Sequence, residues 1–146
     1  MASNSYSGYL DVTSTKKLHY VFVESESSPS TDPVVIWFNG GPGCSSLLGL
    51  LQENGPWVFE DNSTDLIKNP YPWTANANML WIESPAGVGF SFGSERSDLK
   101  HYDMGQSADA FTVLQEFYSG FPEMLGNDLF ISGESYAGIY VPYLAW

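Results

Sequence analysis

A serine near the C-terminal end of the sequence has the surroundings of a nucleophile. Ser135 follows a short apolar run, Leu129-Phe130-Ile131, that predicts a buried strand, and it precedes residues that predict a helix. Gly133 permits a sharp turn between the two, and the start of the helix favours negative charge on the serine oxygen. The pattern approximates G-x-S-x-G, with Ala137 in the second glycine position and Gly138 after it. Alone, this pentapeptide is a weak signal and would better fit a serine that caps an ordinary helix.

A glycine-rich loop earlier in the chain could supply the rest of such a site. The run Val34-Val35-Ile36-Trp37-Phe38 predicts a buried strand of a parallel sheet, and it leads directly into the loop Asn39 to Ser46. Glycines in such a loop allow backbone N–H groups to point at a ligand. An α/β-hydrolase needs two such donors for its oxyanion, one after the nucleophile and one from an early glycine-rich loop. We therefore expect this loop to lie beside Ser135.

Three motifs together resemble the serine carboxypeptidase family. They are Trp37 to Ser46, Trp81 to Ser91, and Gly133 to Gly138, in the family's order and spacing. The similarity extends from about Ser7 to the last residue, and alanine in the second glycine position is the family's own version of the serine turn. The resemblance implies an α/β-hydrolase fold and a peptidase that releases C-terminal residues from peptides or proteins through an acyl-enzyme, with no cofactor.

The resemblance also assigns roles to individual residues. Ser135 would attack the scissile carbonyl, and the N–H groups of Gly41 and Tyr136 would bind the oxyanion. A second group would bind the terminal carboxylate of the substrate: Asn39, Gly40, Glu134, Glu53 and Trp37.

The two glutamates of that second group predict an acidic working pH. Two carboxylates and the substrate carboxylate cannot all be ionised at hydrogen-bond distance, so protons must be shared among them. We expect Glu134 to donate to the substrate carboxylate, and binding to weaken as the pH rises. The alternative is that Glu134 is a packed, structural acid.

The general base of a serine nucleophile is not evident in the sequence. It is normally a histidine oriented by a carboxylate, and in this fold both follow the serine. No Asp, Glu or His follows Ser135, and we interpret His19 and His101 as strand or surface residues. We expect residues 1–146 to be the N-terminal portion of a single α/β-hydrolase domain, with the catalytic Asp and His beyond Trp146, and to be inactive alone.

Two other functions remain open. One is the acyltransferase branch of the same family, and the other is a non-catalytic fragment or interaction module. Acyltransferases often carry Asp at the position of Glu134 and Ser at that of Ala137, so the residues found here favour the peptidase.

The composition restricts the partners. A net charge of -12, from 17 acidic and 5 basic side chains, argues against nucleic acid or an anionic membrane surface as a partner. No apolar run is long enough for a membrane span, and a single cysteine with two distant histidines gives no metal-ligand spacing. The resemblance implies a lysosomal, vacuolar or secreted protein in which Cys44 pairs with a later cysteine. Asn62-Ser63-Thr64 is a glycosylation sequon.

The predicted elements that position these residues give an α/β fold with a mixed, mostly parallel sheet preceded by an antiparallel hairpin. Asp103 is the expected N-cap of the longest helix, whose apolar face would comprise Ala108, Phe111, Leu114, Phe117 and Tyr118. The predicted ranges are a hairpin of 7–12 and 17–24, strands 34–38 and 78–83, helices 45–54 and 105–118, a turn-rich segment 57–77, and the strand and helix around Ser135.

Overall fold

The structure is a computed structural model that describes residues 3–60 and 62–146. Its strands are β1 (Ser5–Asp11), β2 (Lys16–Val23), β3 (Val34–Phe38), β4 (Trp57–Phe59), β5 (Leu66–Lys68), β6 (Asn78–Ile82), β7 (Phe92–Gly93) and β8 (Leu129–Gly133). Its longer helices are α1 (Asp103–Gly120) and α2 (Ala137–Ala145). Shorter helical segments are the π-helical Gly49–Glu53 and 3₁₀ turns at Trp73–Ala75 and Pro122–Gly126.

The main sheet of the described residues has six strands in the order β1-β2-β6-β3-β8, with β7 paired to β2. The hairpin β1–β2 is antiparallel and β2 pairs antiparallel with β6, whereas β3 lies parallel to both β6 and β8. The predicted fold class, an α/β sheet that begins with an antiparallel hairpin, is confirmed. Because β3 and β8 are parallel neighbours, the segments that follow Phe38 and Gly133 leave the sheet at the same edge.

The centre of the sheet is buried on both faces. Every residue of β6 is buried, as expected for a strand covered on both sides. Leu80 and Ile82 pack with α1 and α2 in the larger core, and the alternate residues Met79 and Trp81 pack with Trp37 on the other face.

The apolar run of β8 is not buried as predicted. Leu129 and Phe130 are exposed, and Ile131 is half-buried against the core. Among the described residues β8 pairs only with β3, so it forms an edge of the sheet and its outer side lacks the cover that its composition predicts.

The buried face of α1 also differs from the prediction. Leu114 and Phe117 are buried as expected and Tyr118 is half-buried, but Ala108 and Phe111 are exposed. Their places are taken by the neighbouring positions Gln106, Ala110 and Val113. The helix is therefore rotated about its axis relative to the expected orientation, since its apolar residues do not define a single narrow stripe.

Three local assignments need correction. The helix expected over 45–54 is present over 47–53, where two α-helical residues lead into the π-helical segment Gly49–Glu53. The turn-rich segment 57–77 contains the antiparallel pair β4–β5. Asp103 is the first residue of α1 and not its cap, because Tyr102 occupies the N-cap position without a side-chain hydrogen bond. The side chain of Asp103 instead accepts a hydrogen bond from Tyr136.

Candidate active site

The turn that carries Ser135 has the strained backbone expected of a nucleophile turn. Ser135 has a φ of 57°, in the left-handed region that a residue with a side chain adopts at a cost of roughly 1–3 kcal/mol. The turn is fixed on both sides, because Glu134 N–H donates to Phe38 C=O (3.1 Å) and Gly138 N–H donates to Ser135 C=O (2.9 Å). α2 begins two residues later, so Ser135 is exposed at the junction of strand and helix.

Small residues permit this turn to pack against β3. A Cβ on Gly133 would lie 2.5 Å from Phe38 O and 2.6 Å from the Cβ of Ala137. A side chain at 133 therefore does not fit between Phe38 and Ala137, and glycine is required there.

The glycine-rich loop contacts the serine turn directly. A Cβ on Gly40 would overlap the Tyr136 nitrogen and would lie 2.8 Å from Glu134 O. Gly41 has a φ of 106°, and Cys44 N–H donates to Gly40 C=O (3.0 Å), which closes the loop. Among residues 3–60 and 62–146, the N–H groups of Gly40, Gly41 and Tyr136 donate no hydrogen bond, so none of the three is already paired within the protein.

Asn39 is the centre of the second group of predicted residues. Its side-chain NH₂ donates both hydrogens to carboxylates, one to Glu53 Oε1 and one to Glu134 Oε1, each at 3.1 Å. Its side-chain oxygen accepts from Trp37 Nε1 (2.8 Å) and from Gly49 N–H (3.0 Å). The structure therefore brings Trp37, Asn39, Glu53 and Glu134 together beside Gly40, and these are the residues that the family resemblance grouped.

The hydrogen bonds around Asn39 fix the orientation of its amide. Two donors face its oxygen and two acceptors face its nitrogen, and the residue is 1% exposed. Aspartate at this position would present a third carboxylate to Glu53 and Glu134, which ordinary electrostatics disfavours strongly. Both glutamates are exposed, so their remaining oxygens can reach a ligand.

A cavity of about 710 Å³ lies on the Tyr136 side of this arrangement. The hydroxyl of Tyr136 donates to Asp103 Oδ1 (3.2 Å), and this hydrogen bond raises the pKa of Tyr136 above its ordinary value. Tyr136 lines the cavity, whereas Gly41 and Ser135 do not. Its walls include Pro42, Gly43, Val88, His101, Gln106 and Tyr136.

Both histidines have partners away from the serine turn. His19 lies in β2, where its Nδ1 is 3.0 Å from the carboxylate of Glu83. His101 is exposed at the cavity, and its Nε2 donates to Ala86 C=O (2.9 Å). Glu83 is a buried acid that the sequence analysis placed only at the end of a predicted strand. The signal that could have singled it out is an acidic residue at the end of an otherwise apolar run.

Two further findings concern ligands and membranes. In the described part of the chain no cluster of three His, Cys, Asp or Glu side chains is placed to bind a metal ion, and Cys44 is exposed as a free thiol. A search of the same residues found no helix with the length and apolarity needed to cross a membrane.

Comparisons with known proteins identify a family and several relatives. A family model described as serine carboxypeptidase matches residues 1–146. The mouse lysosomal protective protein is 50% identical over 140 residues, which are 96% of this chain and 29% of that protein. Serine carboxypeptidase-like 20 of Arabidopsis thaliana is 48% identical over 150 residues, covering 98% of this chain and 30% of its own. The chain thus spans about three-tenths of the length of these curated relatives.

The fold is similar to that of solved hydrolases. A prohormone-processing carboxypeptidase of Saccharomyces cerevisiae, Kex1Δp, superimposes with a TM-score of 0.88 at 27% identity, over 99% of this chain and 33% of that chain. An acylaminoacyl peptidase of Pyrococcus horikoshii superimposes with a TM-score of 0.59 at 13% identity, over 98% of this chain and 21% of its own, a likeness of fold alone.

Proposed function

This chain belongs to the serine carboxypeptidase family, and from that premise we propose that the protein containing it releases C-terminal residues from peptides through an acyl-enzyme on Ser135. The observation that carries the proposal is the position of Asn39. Its buried amide joins Glu53 to Glu134, and Glu134 is adjacent in sequence to the proposed nucleophile. A peptide whose terminal carboxylate bound here would have its last peptide bond near Ser135.

In the proposed reaction the serine oxygen attacks the carbonyl carbon of the last peptide bond. The proton of the hydroxyl passes to a base, and the carbonyl oxygen becomes an oxyanion that accepts hydrogen bonds from Gly41 and Tyr136 N–H. The C–N bond then breaks, the base returns the proton to the leaving amine, and the C-terminal amino acid departs. Water, deprotonated by the same base, hydrolyses the remaining ester and restores the serine.

The free N–H groups support this assignment. They lie on the two segments in closest contact, Gly40–Gly41 and Tyr136, at the edge where β3 and β8 end. Loss of one such donor typically costs roughly 3–4 kcal/mol of transition-state stabilisation, so the alignment of the two segments should limit the rate.

The base, the domain and the location are further parts of the proposal. We assign the base and its orienting carboxylate to a histidine and an aspartate beyond Trp146, with residues 1–146 forming the N-terminal portion of one α/β-hydrolase domain. The name of the mouse relative, together with the acidic composition, supports a lysosomal, vacuolar or secreted protein that acts at acidic pH.

The test is the hydrolysis of matched substrates by the full-length protein. An N-blocked dipeptide with a free C-terminus should release its last residue, and the same dipeptide as a C-terminal amide should have a much higher KM. Asn39→Leu should remove most of this difference, because it removes the residue that orients both glutamates. Equal KM values for acid and amide in the wild-type protein would contradict the proposal. Transfer of an acyl group from an acyl-glucose donor to an alcohol, without peptide hydrolysis, would show an acyltransferase instead.

A further inference from the structure

Glu83 is a fully buried carboxylate that the proposed reaction does not use. It follows directly after β6, and its exposed fraction is 0%. A buried carboxylate is tolerated when its oxygens accept hydrogen bonds, and three donors converge on this one. Oε2 accepts from His19 Nδ1 (3.0 Å) and from Phe90 N–H (2.9 Å), and Oε1 accepts from the hydroxyl of Ser45.

The strands around Glu83 are already joined without its carboxylate. Its backbone N–H donates to His19 C=O (3.0 Å), and its C=O accepts from the hydroxyl of Ser91 (2.6 Å). The same Ser91 oxygen accepts from His19 N–H (2.8 Å). These bonds hold β2, β6 and the following turn together. Of the three bonds that the carboxylate accepts, the one from Ser45 is the one that reaches the glycine-rich loop.

Ser45 lies at the far end of the glycine-rich loop. The first residue of the loop, Asn39, is anchored because its N–H donates to the hydroxyl of Ser46 (3.1 Å). The far end of the loop is anchored by the bond from Ser45 to Glu83. Residues 41–44 between these anchors are exposed, so few packing contacts restrain them. Any movement of Ser45 would be passed to Gly40 through the hydrogen bond between Cys44 N–H and Gly40 C=O.

We propose that Glu83 is a positioning residue for the oxyanion site. Its carboxylate, paired with His19, holds Ser45 and thereby keeps Gly40 and Gly41 against the Ser135 turn. Gly89 is glycine for the same reason, since a Cβ there would overlap the carboxylate. The inference rests on the proposed function, because it assigns Glu83 to a step in which Gly41 stabilises the oxyanion.

The test compares two serines of the same cluster, the half-buried Ser45 and the buried Ser91, in the full-length protein. Ser45→Ala removes the bond between the carboxylate and the loop, together with the bond that Ser45 accepts from Leu47 N–H (3.2 Å). Ser91→Ala removes two bonds of the strand framework while leaving the loop anchored. The readout is the rate at which a fluorophosphonate labels Ser135, measured well below the Tm of each variant. This reaction needs the oxyanion donors but no particular peptide, so it does not depend on the substrate class.

We expect Ser45→Ala to label at least about ten-fold more slowly, Ser45→Thr to restore the rate, and Ser91→Ala to stay within about three-fold of wild type despite a lower Tm. Glu83→Gln should slow labelling as Ser45→Ala does. If Ser45→Ala does not fold, the labelling rate of Glu83→Gln is compared with wild type instead. Equal rates in Ser45→Ala and wild type, or equal losses in Ser45→Ala and Ser91→Ala, would overturn this inference alone. Absence of labelling at Ser135 in the wild type would overturn the proposed function and this inference with it.

Discussion

Replacing Gly40 with alanine should disable the oxyanion site while leaving the rest of the fold in place. The new Cβ would overlap the Tyr136 nitrogen and would lie 2.8 Å from Glu134 O and 3.1 Å from Ala137 N. All three are backbone atoms, so no side-chain rotation can relieve the overlap. Glu134 O alone would have to move by roughly 0.7 Å to reach an ordinary contact of about 3.5 Å.

A displacement of this size is large for a catalytic site. A misplacement of about 1 Å typically costs on the order of 10²-fold in rate, and complete loss of one oxyanion donor costs about 10²–10³-fold. We therefore expect Gly40→Ala to lower kcat by about 10²-fold, equivalent to about 2.7 kcal/mol at 1.36 kcal/mol for each factor of ten.

The chain offers a matched control for this substitution. A Cβ at Gly138, in the first turn of α2, would meet nothing within 4 Å. Gly138→Ala should therefore keep the wild-type kcat and raise stability by roughly 0.5–1 kcal/mol, because alanine is the better helix residue. The assay is kcat and KM on an N-blocked dipeptide, with Tm measured in parallel on the full-length protein. A Gly40→Ala variant within about three-fold of wild type would refute the contact between the loop and the serine turn.

Three further predictions use other parts of the chain. Binding of a substrate carboxylate beside Glu53 and Glu134, which Asn39 joins, requires a shared proton, so KM for peptide acids should rise with pH. Glu134→Gln supplies a permanent donor and should flatten that rise. An unchanged pH profile of KM would make Glu134 a structural acid. The Ser25 hydroxyl bonds to Asp32 (2.6 Å) and holds the pKa of that carboxyl below its ordinary value. This stabilisation is present above the unfolded-state pKa and is lost as the pH falls through the folded-state pKa. Ser25→Ala should therefore lower Tm by more at about pH 6 than at about pH 2, where only the bond from Ser27 N–H to Ser25 still contributes. Asn62 is exposed in the turn between two short strands, and a eukaryotic secretory host should glycosylate it in the full-length protein. Thr64→Ala should abolish the endoglycosidase-sensitive mass shift, and Thr64→Ser should keep it. Identical masses for the wild type and both variants would contradict this prediction.

The predictions from sequence were most accurate where a short local pattern of residues determines the structure. The β-branched and aromatic run of β3 predicted its exact bounds, Val34–Phe38, because a short apolar run between turn residues has few alternatives. Ser135 was predicted at a sharp turn because the local pattern of glycine, serine and small residues was supported by the glycine-rich loop and the family motifs.

Contacts between distant residues could not be derived from periodicity. Asn39 bonds to residues 14 and 95 positions away, and only the resemblance to a family grouped them. Glu83 was missed because its partners, His19 and Ser45, are 64 and 38 positions away and belong to a predicted hairpin and a loop. The exposure of Phe130 was missed because apolar composition predicts burial without saying which neighbour supplies it.

The buried face of α1 shows the limit of helical periodicity. Phe111 has the composition of a core residue and is 52% exposed, whereas the polar Gln106 is buried. Several apolar stripes can be drawn on this helix, and the one chosen depends on the packing of α2 and the sheet against it.

The central claim is that an acyl-enzyme forms on Ser135. Full-length protein mixed with an N-blocked dipeptide and quenched with acid during turnover should show, by peptide mapping and mass spectrometry, the N-blocked acyl group on the peptide that contains Ser135. Ser135→Ala should show neither the adduct nor release of the C-terminal amino acid. Release of that amino acid at the wild-type rate by Ser135→Ala, or an acyl group on a different residue, would contradict the central claim.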